Sequence, residues 1–200
     1  MQFILNTKSP RLASMSEAEY LTGRTLLAMP GMFDPRFARA VIAMCVHDAN
    51  GALGMGVGRL HDSLRFHAIL AEAGIDAGQA PDVPVHVGGP VEPQRGFVLH
   101  SPEWSGNGTI MTGPLCALSF STDVLRAIAD GQGPAKWLFA LGYAGWGEGQ
   151  LEGEMRHHGW HAAAGKTDVL FGTPAERRWA AAWHAEGIDP ALLASETGRA

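Results

Sequence analysis

An α+β fold is what this sequence predicts, and three observations carry that. Apolar runs are short and are stopped by glycine, proline or Asn-Gly, as strands joined by turns are. Other segments place apolar residues at i, i+3, i+4 and i+7, the spacing of a helix with one buried face. The two kinds of segment do not alternate regularly, which separates the chain from a βαβ design. The 200 residues show no internal repeat and no linker, so one domain over residues 23–200 is expected, preceded by a loose polar arm over residues 1–22. An apolar fraction of 46% against 18% charged residues is enough for a sizeable core.

Taken in order, Thr25-Leu26-Leu27-Ala28-Met29 reads as a strand stopped by Pro30-Gly31, and Asp34-Pro35 as a turn. Ala40 to Val46 is a continuous apolar run, suited to a central strand buried on both faces. His47-Asp48-Ala49-Asn50-Gly51 reads as a hairpin turn, with Ala52 to Val57 returning. Asp62 is placed to cap a helix whose face is Phe66, Ile69, Leu70 and Ala73, ended by Gly74. Residues 75–83 read as a loop, Val85-His86-Val87 and Gly96 to His100 as strands, and Thr109–Met111 and Leu115–Phe120 as two more. Ser121 or Thr122 caps a helix through Val124, Leu125 and Ile128, which Gly131 stops.

Trp137-Leu138-Phe139-Ala140-Leu141 is another apolar strand, followed by Gly142, Gly145, Gly147 and Gly149 within eight positions. A tight strand-to-helix elbow is the expectation, with a helix from Glu148 or Gln150 to His157. The spacing matches neither GxGxxG nor GxxxxGK[ST], and Glu148 would repel a phosphate. Trp160 to Ala164 reads as a last strand. Thr173-Pro174-Ala175-Glu176 reads as a capping box with proline at the first helical position, on a helix with Ala175, Trp179, Ala182 and Trp183 inward and Gly187 at its end. Asp189-Pro190 begins one further turn.

The formal net charge of −5 and the absence of any Lys/Arg run argue against strong nucleic-acid binding. Cys45 and Cys116 lie in apolar runs without CxxC spacing, as buried free thiols do. Phe3-Ile4-Leu5 is too short for a membrane span or a signal segment, so a cytoplasmic protein is expected. His47 and His100 each end an apolar strand and could face one another. Arg95 is expected to pair with Glu152 or Glu154, which lie two residues apart and so point in different directions, with Glu152 the preferred partner. His157, His158 and His161 match a metal cluster only loosely, and no cofactor is implied.

The chain also resembles the AlgH/YqgE family. Leu26-Leu27-Ala28-Met29-Pro30 with Asp34-Pro35-Arg36-Phe37, Cys45-Val46-His47-Asp48 and Gly51-Ala52-Leu53-Gly54 is similar to its opening. Gly88-Gly89-Pro90-Val91 with Arg95 to His100 is similar to its second block, and Gly142 to Glu152 to its third. Val46, Gly58, Leu60 and His158 depart from the pattern, which has an acidic residue, asparagine, proline and asparagine there. The resemblance implies a complex α+β fold: a branched, mostly antiparallel sheet with a small barrel-like portion, surrounded by helices. It implies no catalytic residues, and a family described as transcriptional regulators. The expectation is therefore a non-enzymatic regulatory or binding protein acting through a protein partner. Its candidate surface is His47, Arg95, His100, Gly145, Trp146, Gly147, Gln150 and Glu152. The alternative is a small-molecule sensor or hydrolase-like enzyme with a polar pocket near His47, Arg95, His100 and Glu152.

Overall fold

The computed structural model describes residues 20–32 and 34–196, and for residues 194–196 the backbone only. Most of the arm expected over residues 1–22 therefore lies outside the described residues. Tyr20 to Thr22 are described, and they lie against the strand that carries His47.

Ten strands form one curled sheet: β1 (Thr25–Ala28), β2 (Val41–Asp48), β3 (Gly51–Gly56), β4 (Leu60–Arg65), β5 (Pro84–Val87), β6 (Val91–His100), β7 (Thr109–Met111), β8 (Ala117–Ser119), β9 (Trp137–Gly147) and β10 (Trp160–Ala163). The main path runs β10-β1-β2-β3-β9-β6-β8-β7, with β4 and β5 branching off. Six helices surround it: α1 (Phe66–Glu72), α2 (Thr122–Ala129), α3 (Gln150–Arg156), α4 (Thr167–Gly172), α5 (Ala175–Ala185) and α6 (Pro190–Glu196). This is the expected α+β class, a half-barrel of mostly antiparallel strands, and the branch is real.

The branch point explains the glycine-rich stretch and corrects the elbow. β9 does not stop at Leu141. It runs on to Gly147, and only Glu148 and Gly149 turn the chain into α3. One edge of β9 is taken by β6 through Trp137 to Leu141 and again at Tyr143. The other edge is shared. β5 pairs in parallel with Ala140 and Leu141, and β3 pairs antiparallel with Ala144 to Gly147. Gly142 sits between the two partners at φ +70°, and a Cβ there would lie 2.4 Å from the Gly89 carbonyl oxygen. Gly149 is the helix N-cap at φ +69°. Gly145 and Gly147 stay outside the left-handed region, so the backbone requirement falls on the other two. The elbow failed as a reading because tertiary pairing carries an apolar strand through glycines that local pattern takes as its end.

Two helix starts also differ from expectation. Residues 60–65 pair with β5 as a strand, so Asp62 caps nothing and α1 begins at Phe66. Its first turn is served from afar: Asp82 Oδ1 accepts the His67 N–H at 2.9 Å, and the Val83 carbonyl accepts that of Phe66. At α5, Pro174 is the N-cap and no side chain caps the helix, so the capping box does not form. The Thr173 hydroxyl turns to the Asp168 carbonyl instead. Elsewhere the signals hold. Ser121 caps α2 by accepting the Asp123 N–H, and Gly74, Gly131 and Gly187 take positive φ after their helices.

Three apolar clusters pack on the sheet. Leu27, Val41, Met55, Leu99, Leu118 and Trp183 belong to the one under α5. Leu26, Ile42, Met44, Trp146, Leu151 and Trp160 form the one under α3. Phe66, Leu70, Val98, Leu125 and Phe139 form the one between α1, α2 and the sheet. Cys45 and Cys116 are buried free thiols in the first, and burial holds both above the ordinary thiol range. Arg178 is buried as well, which its place on a helix face otherwise counted as apolar did not suggest. Its guanidinium donates to the Val57 and Thr173 carbonyls, and burial pushes it down to about 10.

Candidate functional site

The end of β9 and the start of α3 gather most of the candidate residues. Trp146, Gly145 and Gly147 come from the last strand residues, and Gln150, Glu152 and Glu154 from the helix that folds back beside them. His47, at the end of β2, completes the corner.

His47 is buried, and its two ring nitrogens have different partners. The Leu21 backbone N–H donates to Nδ1 at 3.0 Å. Nδ1 is thus an acceptor, the ring proton sits on Nε2, and Nε2–H donates to Glu152 Oε1 at 3.0 Å. The Thr22 hydroxyl accepts the His47 backbone N–H at 2.8 Å, and the Tyr20 ring meets the imidazole edge-on. Glu152 is therefore spoken for. The expected Arg95–Glu152 pair does not exist: Arg95 pairs with Glu92 at 3.1 Å and lies over the rings of Phe97 and Phe120. Arg95 sits within the irregular stretch of β6 between Val91 and Gly96.

Glu154, absent from the candidate surface read from the sequence, is the most connected side chain of this corner. Its Oε2 accepts the indole N–H of Trp146 at 3.0 Å and that of Trp160 at 2.8 Å. Its Oε1 accepts from Gln150 Nε2 at 3.1 Å, and Gln150 Oε1 accepts the Gly147 backbone N–H. One carboxylate thus fixes two tryptophans edge-to-face, with centroids 6.2 Å apart, and Phe37 meets Trp160 at 5.6 Å. The available signal was the i, i+4 spacing of Gln150 and Glu154, which puts both on one helix face above the strand.

These rings wall a groove open to solvent. One part, of ≈ 380 Å³, is lined by Met32, Trp146, Gln150, Glu154 and Trp160 among others. A second, of ≈ 210 Å³, is lined by Gly56, Gly58, Arg59 and Gly88-Gly89-Pro90. Arg36, Phe37 and Pro90 line both, so the two parts adjoin along a shared wall. The Gly88 backbone lies close against β9: a Cβ there would lie 2.1 Å from the Gly142 carbonyl oxygen and 2.6 Å from the sulfur of buried Met55.

His100 is elsewhere. It pairs across the sheet with Trp137 at the opposite end of β9, whereas Gly147 pairs with Gly51 beside His47. Ten residues of strand separate the two ends, about 33 Å. The His47–His100 encounter is therefore excluded, and with it the polar pocket of His47, Arg95, His100 and Glu152. His100 is fully buried in a directed chain. Gly106 N–H donates to Thr109, Thr109 to Ser119 at 2.7 Å, Ser119 to His100 Nε2 at 2.9 Å, and His100 Nδ1–H to the Ser101 carbonyl at 2.8 Å. Burial lowers the His100 pKa.

The remaining candidates are scattered. His157 Nδ1 bonds the Gly153 carbonyl, His158 takes φ +55°, and His161 stacks on Trp183. Among the described residues no group of three or more His, Cys, Asp or Glu is placed to hold a metal ion. Nor is any helix among them long and apolar enough to cross a membrane.

Comparison with known proteins agrees with this architecture. A family model described as AlgH-like matches residues 25–191. A "UPF0301 protein" of Novosphingobium aromaticivorans is 63% identical, over 93% of this chain and 100% of that one. One of Rhizorhabdus wittichii is 54% identical, over 90% of this chain and 97% of its own. The solution structure of the AlgH protein from Pseudomonas aeruginosa superposes with a TM-score of 0.75 at 37% identity, covering 94% of this chain and 100% of that one. A crystal structure from Corynebacterium diphtheriae shares the fold at 18% identity, with a TM-score of 0.71 over 92% of this chain and 98% of that one.

Proposed function

The chain belongs to the AlgH-like family, and from that premise and the groove beside α3 we propose that it is a regulatory binding protein whose groove receives a segment of a partner protein. The observation that carries this is the wall built on Glu154. Two buried tryptophans are held in fixed orientation by one carboxylate, and half-buried Phe37 packs edge-on against Trp160, so the groove wall is organised before any partner arrives. Half-buried Phe37 on that wall and exposed Pro90 suit an extended peptide that lays an apolar side chain against them. Asp34 is engaged by Arg36, Glu154 by two indoles and His157 Nδ1 by the Gly153 carbonyl, which favours recognition over nucleophilic chemistry. The shape is a trough rather than an enclosed cavity, which favours a chain segment over a small molecule.

Selection from a displayed random nine-residue peptide library tests this. Peptides enriched on the native protein should lose binding to Pro90→Trp, because the new ring fills the wall shared by both parts of the groove. Pro90 is exposed and donates no hydrogen bond, so this variant should keep its circular dichroism spectrum. Enrichment that is indifferent to Pro90→Trp would reject the groove as the binding surface.

A further inference from the structure

The groove is not evenly charged. Around its Gly58 end stand Arg36, Arg39 and Arg59, with Arg178 buried beneath, against two acids, Asp34 and, near Arg178, Glu176. Asp34 is fully engaged with Arg36, through both carboxylate oxygens at 2.6–3.1 Å. Among the described residues no carboxylate forms an ion pair with Arg39, Arg59 or Arg178. The neighbourhood therefore carries an excess of positive charge on a chain whose net charge is −5.

The geometry gives that charge a direction. Arg178 donates from below to the Val57 carbonyl, between Gly56 and Gly58. Arg39 lies over the Trp179 ring, and its carbonyl oxygen would stand 3.4 Å from a Cβ on Gly58. Arg59 is exposed and lines the groove. A single N–H of its guanidinium is used, to the Arg36 carbonyl at 3.2 Å. That contact fixes the side chain while leaving most of its donors open, the state in which arginine binds a carboxylate with two parallel hydrogen bonds. At the far end Glu154 and the two indoles close the apolar stretch.

We infer that the Arg59 end of the groove binds an acidic side chain of the partner segment, so that the groove reads an acidic residue next to an apolar one that lies against Phe37 and Pro90. This rests on the reading of the groove as a partner-binding surface. The occupant is a peptide because the charge is concentrated at one end of an apolar trough. A nucleic-acid backbone would need positive charge along its whole track.

The same library separates the two claims. Peptides enriched on the native protein, and lost on Pro90→Trp, should carry Asp or Glu beside an apolar residue. Selection on Arg59→Glu should replace that acid by Lys or Arg. A peptide chosen on the native protein should bind Arg59→Glu about tenfold more weakly, and its affinity should fall with added salt. Groove-dependent peptides with no acidic preference, or with one that Arg59→Glu leaves unchanged, would overturn this inference and leave the groove reading standing. An absence of groove-dependent peptides would overturn both. A single-stranded oligonucleotide that displaces the peptides at equal concentration would also overturn the acidic-peptide assignment.

Discussion

The two ends of β9 use polar side chains in opposite ways. At the Trp137 end, the chain from Gly106 through Thr109, Ser119 and His100 to the Ser101 carbonyl is closed: each donor has an acceptor and the imidazole has no exposed surface. At the Gly147 end, Glu154 and Gln150 hold Trp146 and Trp160 in the wall of an open groove. Both ends carry a histidine whose tautomer is set by a backbone group. His100 keeps its proton on Nδ1 to serve a carbonyl, and His47 keeps its proton on Nε2 because an N–H occupies Nδ1. A buried, satisfied network specifies architecture. A network that fixes the rings behind a groove specifies the shape of its wall. A histidine at a strand end does not by itself tell the two apart.

The largest effect separating the ends is expected from His100→Ala. It removes a fully buried ring, and leaves the Ser119 hydroxyl without its acceptor and the Ser101 carbonyl without its donor, so equilibrium denaturation should show a loss of about 3–5 kcal/mol. Peptides selected on the groove should still bind the folded fraction.

Acid should act on the same half of β9. His86, which pairs with Ala140, is pushed down to about 4 by burial, with Arg178 adding to it, and His100 is lowered too. A lowered histidine is neutral in the native state where the unfolded chain already binds a proton. Stability is therefore full above about pH 6.5 and falls as pH drops toward 4, by about 3 kcal/mol from His86. Urea midpoints measured across that window should show the slope, and His86→Leu should flatten it.

Glu154→Ala comes next. It strips both indole N–H groups of their acceptor at a partly exposed site, so about 2 kcal/mol is expected, together with loss of peptide binding. A Glu154→Ala protein that binds peptides as well as the native one would show that the tryptophans need no clamp. Arg95→Ala should be the mildest. The Arg95–Glu92 pair is 48% exposed on both sides, so less than about 1 kcal/mol is expected in the same denaturation experiment.

Much of the frame was legible in the sequence because the apolar runs are strong. Thr25 to Met29, Ala40 to Val46 and Val85 to Val87 became β1, β2 and β5, and the Ser121 cap is where its spacing placed it. Errors arose where a distant partner overruled a local signal. Asp62 looked like a cap because nothing nearby reveals that residues 60–65 pair with β5. The glycines after Leu141 looked like an end because the parallel partner of Ala140 lies more than fifty positions earlier. The candidate site divided in the same way. His47, Trp146, Gln150 and Glu152 share one corner because α3 folds back directly on the strand before it. Arg95 and His100 sit on β6, whose place relative to that corner is fixed only by the whole sheet. Glu154 was absent from the candidate surface because its partners are indole N–H groups, which leave no charge pattern in a sequence.

The most direct test of the account is to map a selected peptide by amide chemical-shift changes in the isotope-labelled native protein. The account predicts that the shifts cluster on Gly145 to Glu154, Gly88-Gly89 and Arg59, with Thr109, Ser119 and His100 unmoved. Shifts concentrated around Ser119 and Phe120, with the groove silent, would contradict it.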